Sequence, residues 1–164
     1  MQTYTTRVTR HIRAPRTEVY RALIDPDDIR EWKVPDEMTI RIHEHQARQG
    51  GRFRISLTYV GPSGIGKSSE KTDTYHGHYV TLVPDELVVE IDEFESPDPA
   101  LSAPMTISIS LADADVGTDL VAEHEGVPIA VPAADNQLGW EIALSKLARL
   151  VEARTPLTDQ GGRD

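Results

Sequence analysis

Ala134 to Ala153 reads ADNQLGWEIALSKLARLVEA, and its period decides the architecture. Trp140, Ala143, Leu144, Leu147, Leu150 and Val151 recur at spacings of three and four, one face of an α-helix. At 1.5 Å per residue a helix of this length spans about 30 Å. Leu138 and Ile142 point away from this stripe, toward either a cover of neighbouring short helices or a subunit contact, as in a homodimer. Gly139 stands inside the helix at a cost of about 1 kcal/mol against alanine. That cost is tolerable where a ligand or a neighbouring loop approaches the backbone closely.

The chain before this helix mostly alternates. Met38, Ile40 and Ile42 alternate with Thr39, Arg41 and His43; Phe53, Ile55, Leu57 and Tyr59 alternate with Arg52, Arg54, Ser56 and Thr58. One dry and one wet face per strand is the antiparallel pattern. Further strands are expected over Thr74–Val83, from Leu87 with Val89 and Ile91, from Met105 through Ile107 and Ile109 to Leu111, and over Thr118–His124. A first strand covers about residues 3 to 13. Ala14-Pro15 then opens a helix with Val19, Ala22 and Leu23 as its apolar stripe, and Asp25-Pro26 ends it. Pro26 starts a second short helix running to Trp32. The expected order is strand, two short helices, six strands, long helix. Short turns between consecutive strands make the sheet antiparallel, and the long helix covers its dry face.

Composition limits the functions. The chain has 164 residues, 38% hydrophobic and 27% charged, with a formal net charge of −10. That length suits one domain, expected over residues 1–154, followed by a disordered tail from Thr155. The acidity argues against a nucleic-acid surface and against docking on anionic lipid. Cysteine is absent, which removes disulfides, thiolate metal sites and cysteine nucleophiles. Met1–Arg13 has no apolar core of signal-peptide length, and no stretch approaches the roughly 18 apolar residues of a membrane span. A cytoplasmic location is the expectation.

Several local patterns carry competing chemistry. Gly61 to Ser68, GPSGIGKS, satisfies the phosphate-loop spacing, and Leu87 to Glu93 faintly resembles an apolar strand ending in a metal-binding aspartate. A phosphate loop needs a following helix and a preceding strand apolar throughout. Here SEKTDT follows, the preceding strand alternates, and Glu90 interrupts the second string, so a hairpin loop is expected instead. His43/His45 and His76/His78 could each share a strand face. The first pair falls on the wet parity, and a strand between the pairs separates them by about 9 to 10 Å, too far for one ion. No metal or cofactor is expected. His124 shares parity with Leu120 and Ala122 and should point inward, as a core residue, a polar anchor for a ligand, or a general base.

A string of short motifs resembles one superfamily. Ile12-Arg13-Ala14-Pro15 with Val19-Tyr20-Arg21-Ala22-Leu23 is similar to "I-x-A-P-x-x-x-V-W-x-A-L", and Asp25-Pro26 before Trp32 to a short helix ending in tryptophan. Gly50-Gly51-Arg52-Phe53, Gly77 through Pro84 to Leu87, Gly117-Thr118 to Gly126, and Gly139-Trp140 with Leu144 and Leu147 continue the likeness over residues 5 to 153 or so. Together they resemble the START-like or SRPBCC superfamily, and within it the family related to the C-terminal domain of the activator of the 90-kDa heat-shock protein ATPase. The family often carries a glutamate four residues after the glycine matched by Gly77; this chain has Thr81.

The resemblance implies an α+β helix-grip fold, START-like or Bet v-like: seven curved antiparallel strands around a long C-terminal helix. A curved sheet gripping one helix leaves a hollow that side chains do not fill, and such hollows hold apolar molecules with few polar anchors. The expected lining is Trp32, Phe53, Leu57, Tyr79, Met105, Ile107, His124, Trp140 and Leu144. A lipid- or polyketide-like ligand is the leading expectation. A cyclase or hydrolase using His124 and a tyrosine, and a chaperone-binding stress-response module, are the alternatives.

Overall fold

The computed structural model describes residues 2–60 and 71–155. The elements follow as β1 (Thr3–Ile12), α1 (Arg16–Ile24), α2 (Pro26–Trp32), β2 (Met38–His45), β3 (Arg52–Tyr59), β4 (Thr72–Val83), β5 (Leu87–Phe94), β6 (Met105–Asp113), β7 (Thr118–Pro128) and α3 (Ala133–Arg154). The strands form one sheet in the order β1-β7-β6-β5-β4-β3-β2, antiparallel at every pairing. This is the expected α+β helix-grip architecture. The phosphate-loop string and the tail after Thr155 lie outside the described residues; β3, just before the former, is antiparallel to both its neighbours. Among the described residues no helix is long and apolar enough to cross a membrane.

Asp25 joins the two short helices. It ends α1 in extended conformation, and its carboxylate then accepts from the Asp27 and Asp28 backbone N–H groups at the start of α2. Pro26 occupies the first turn of α2, where no backbone donor is needed. Trp32 ends that helix buried, and its indole N–H donates to Ala22 O at 2.9 Å, tying α2 to α1. Arg154 makes a two-pronged bond to the buried Asp28 carboxylate at 2.7 and 3.1 Å, tying the end of α3 to α2. The buried residues of α3 are Leu144, Leu147, Ala148 and Val151, all in its C-terminal half. Trp140 and Ala143, expected in the same stripe, are half-buried.

Two irregularities redirect side chains. The β2–β3 register slips between Ile42 and Glu44, so His43 is an extra residue and His45 pairs with Phe53. A bulge of this kind reverses the alternation beyond it. His45 therefore leaves the wet face expected for it and turns inward, where Nε2 lies 2.9 Å from the Tyr79 hydroxyl. His43 stays exposed. The second irregularity is one of parity. In β5 the buried residues are Val88, Glu90 and Asp92, while Leu87, Val89 and Ile91 are only half-buried. The apolar trio of this strand faces out and two acids face in.

Gly77 shows how tightly β4 is held. A Cβ there would sit 1.9 Å from Ile91 O and 2.8 Å from the Phe53 ring. Phe53 closes over that bare backbone, its ring centroid 5.2 Å from that of Tyr79 and 6.4 Å from that of Tyr75. Gly77→Ala should therefore lower stability by about 3 kcal/mol, since the obstruction is partly backbone and cannot swing aside; urea unfolding followed by circular dichroism measures the loss.

Candidate functional site

A pocket of about 400 Å³ opens between the end of α2, the inner face of the sheet and the N-terminal half of α3. Trp32, Leu57, Met105, His124 and Trp140 stand on its wall. Phe53, Tyr79, Ile107 and Leu144, expected with them, do not. They are buried in the adjoining core, where Phe53 packs against the Tyr75 and Tyr79 rings and Leu144 belongs to the buried α3 stripe. The wall also includes Gly139, where the sequence allowed a ligand's approach, and Lys33, Asp73, Tyr75, Asp92, Asn136 and Ile142, which were not expected there. Ile142 thus faces the pocket, and Leu138 is exposed. A Cβ on Gly139 would meet nothing within 4 Å, so among the described residues no loop crowds it. That glycine leaves open space at the pocket wall.

Beneath the pocket the sheet carries a cluster of polar side chains. Tyr79, Glu90, Ile107 and His124 face one another in register across four strands, and Gly77, Asp92 and Met105 form the next row. Lys33, which caps α2, reaches down so that its ammonium lies 3.3 Å from Glu90 Oε2 and 5.9 Å from the ring centroids of both Trp32 and Tyr75. Burial, the largest single influence, would lower the lysine pKa, but the neighbouring groups, Glu90 first among them, together outweigh it and raise the ammonium well above its ordinary value. Burial pushes Glu90 up, and Lys33 with the hydrogen bond from Asp92 pulls it down below its ordinary value. Asp92 is raised well above the carboxylate range, first by burial and then by the Glu90 charge. One cation thus serves two acids: Glu90 is ionised, and Asp92 keeps its proton and shares it with Glu90. No N–H or hydroxyl donor among the described residues reaches Asp92 Oδ1, and that atom is closed to solvent. Burial likewise raises Tyr75 and Tyr79, so both phenols stay neutral.

His124 forms the second polar group. Trp140 Nε1–H donates to its Nδ1 at 3.1 Å, with Asn136 Nδ2 at 3.4 Å. An indole nitrogen only donates, so Nδ1 is the acceptor and the ring proton sits on Nε2. That Nε2–H faces the Met105 sulfur at 3.3 Å. Burial lowers the His124 pKa to about 4, and the ring is neutral at physiological pH. With Nδ1 engaged and Nε2 protonated, His124 has no free lone pair for a general base; it can donate a hydrogen bond. Among the described residues no group of three or more His, Asp or Glu side chains is arranged to hold a metal. His76 instead bridges Glu93 and Glu95 at 3.0 Å each on the outer face.

Glu90 and Asp92 were the missed site residues. Their signal was the spacing of two, which puts both on one strand face. It was hidden because Leu87, Val89 and Ile91 look like the dry parity. Lys33 carried no periodic signal.

The pattern of the family described as "Activator of Hsp90 ATPase homolog 1-like protein" matches residues 13–152. Among solved structures, the chain is similar to protein CV1439 from Chromobacterium violaceum at 34% identity and TM-score 0.80, covering 90% of this chain and 96% of that one. The "AHSA1-like protein" from Aeromonas hydrophila matches at 18% identity and TM-score 0.69, covering 92% and 94%, and supports the fold. So does protein Ms6760 from Mycobacterium smegmatis, at 17% identity and TM-score 0.67, covering 92% and 96%. No curated protein matches the chain.

Two outcomes follow from the polar cluster beneath the pocket. Lys33→Met leaves a buried carboxylate without its cation and should cost about 3–5 kcal/mol, whereas Lys33→Met with Glu90→Leu should recover most of that in chemical denaturation. His124 adds a pH dependence. Its pKa rises from about 4 in the fold to the ordinary 6.5 on unfolding, so its contribution is neutral above pH 6.5. The unfolded chain gains the proton first as pH falls, and up to about 3 kcal/mol of stability is lost by pH 4. The difference between wild type and His124→Gln in urea midpoints, followed from pH 7 down to 4, isolates that loss.

Proposed function

The chain belongs to the Activator of Hsp90 ATPase homolog 1-like family, and from that premise we propose that it binds a small apolar molecule in the pocket between α3 and the sheet. The observation that carries this reading is the pocket itself. Its volume of about 400 Å³ falls within the range of small-molecule sites. Its wall is largely apolar, with Trp32, Leu57, Phe94, Met105 and Trp140 around a few fixed polar groups. An apolar body displaces water from such a wall at about 25 cal/mol per Å² of apolar surface covered. The polar groups orient what enters.

Both tryptophans of the chain line the pocket, so binding has a built-in reporter. Titration with the uncharged probe N-phenyl-1-naphthylamine should quench tryptophan emission with energy transfer to the probe. Native mass spectrometry of protein purified from its own host should show a retained small molecule. Gly139→Leu puts a side chain into the open space of the wall while replacing the poorest non-proline helix former by a good one. It should abolish probe binding and leave the thermal midpoint equal or higher. An unquenched wild type, or unchanged binding in Gly139→Leu, counts against the reading.

The family description supports a second reading, contact with a 90-kDa heat-shock chaperone. A pull-down with the purified chaperone that recovers nothing removes it.

A further inference from the structure

The outer face of the sheet, turned away from the helices and the core, carries a pattern complementary to itself. β5 is the middle strand of the seven. Leu87, Val89 and Ile91 point outward from it and are half-buried. Val80, the extra residue where the β4–β5 register shifts between Tyr79 and Thr81, is 41% exposed, and Val83, opposite Leu87, is 36% exposed. On the other side Thr106, Ser108 and Ser110 of β6 pair with the β5 trio, so no charge interrupts the patch there. One row then crosses five strands in register: Arg52, His78, Ile91, Thr106 and Glu125. Its ends carry opposite charges, each two strands from β5, a distance of about 10 Å. Both end residues are exposed. Glu125 has no ion pair among the described residues, and Arg52 has a loose one to Glu44 at 3.7 Å.

We propose that two copies of the chain pair through this face, about a two-fold axis running along β5. Such an axis sets Leu87, Val89 and Ile91 against their own copies. It carries each strand on one side of β5 over the matching strand on the other, so Thr106 meets the partner's His78 and Glu125 meets the partner's Arg52. In a two-fold contact each of these pairs occurs twice. The helices lie on the concave side, so this face is convex, and strands two steps from the axis draw apart. The long side chains of Arg52 and Glu125 stand there, and the short apolar ones stand along the line of contact. Glu93, the next outward residue of β5, would meet its own copy and ends the patch on that side. A patch of about 19 Å by 14 Å lies at the small end of protein interfaces, so the dimer is weak and reversible.

The test is sedimentation equilibrium from low micromolar protein to about 0.5 mM, in about 0.15 M salt, where a screening length of about 8 Å damps the net charge of −10 on each copy. The wild type should show a monomer–dimer equilibrium. Val89→Lys sets two ammonium groups against each other on the axis and should leave only monomer. Arg52→Glu and Glu125→Arg should each weaken the dimer about tenfold, since an attraction that occurs twice becomes a repulsion. Both changes in one chain restore opposite charges across the axis and should recover affinity to within about threefold of wild type. Leu138→Lys, at an exposed apolar residue of α3, should leave the dimer intact. Circular dichroism checks that each variant is folded. A wild type that stays monomeric throughout, a dimer that survives Val89→Lys, a double swap that recovers nothing, or a dimer lost in Leu138→Lys would each overturn the proposal.

Discussion

The two edges of the sheet, β1 and β2, are consecutive in the chain, so their connection must cross the whole sheet. Six strand spacings amount to about 29 Å on a flat sheet. α1 and α2, of nine and seven residues, together rise about 24 Å, and they bridge most of that width. A connection of this length must bury its apolar stripe against something, and the concave face is what remains dry. Both short helices therefore lie there beside α3, pinned by the Trp32 and Arg154 bonds. The crossing delivers Lys33 over the middle of the sheet, where Glu90 and Asp92 point up from β5.

That meeting gives the protein a charged centre with unequal numbers. Removing two carboxylates from water with only one ammonium to answer them leaves one acid neutral, because an unpaired ion at that depth is far costlier than a retained proton. Asp92 is the acid that keeps its proton: the ammonium pairs with Glu90 at 3.3 Å, and Asp92 is hydrogen-bonded to that charged neighbour. The arrangement is a poor source of stability compared with an apolar core of the same volume. Its worth lies in position: it places polar groups beneath a wall that is otherwise largely apolar.

α3 explains why there is a pocket at all. Its C-terminal half is sealed by Leu144, Leu147, Ala148 and Val151, and its N-terminal half carries no fully buried side chain. Trp140 and Asn136 reach from that half to His124 and prop the helix at hydrogen-bonding distance from β7. Gly139, beside them, contributes no side chain to fill the gap. The hollow is thus the product of a propped helix above and a curved sheet below, and the His124 bonds hold its mouth in shape.

Periodicity by itself determined the element types, their order and the antiparallel class, because apolar spacing of two or of three and four is a local property that survives any packing; the curvature came from the family resemblance. It also put Leu57, Met105, His124 and Trp140 on inward faces, and the wall includes them; Trp32 joined that list through the family resemblance. Only the tertiary structure decided which faces turn in where alternation is ambiguous or broken. In β5 both parities carry candidates, and the acids won because Lys33, from an element far away in sequence, meets them. In β2 one extra residue at His43 turned His45 inward, a slip that no composition rule announces. Whether Phe53 and Tyr79 line a space or fill it likewise rested on three rings meeting over Gly77, since packing is a property of neighbours in space and the chain spells out only neighbours along itself.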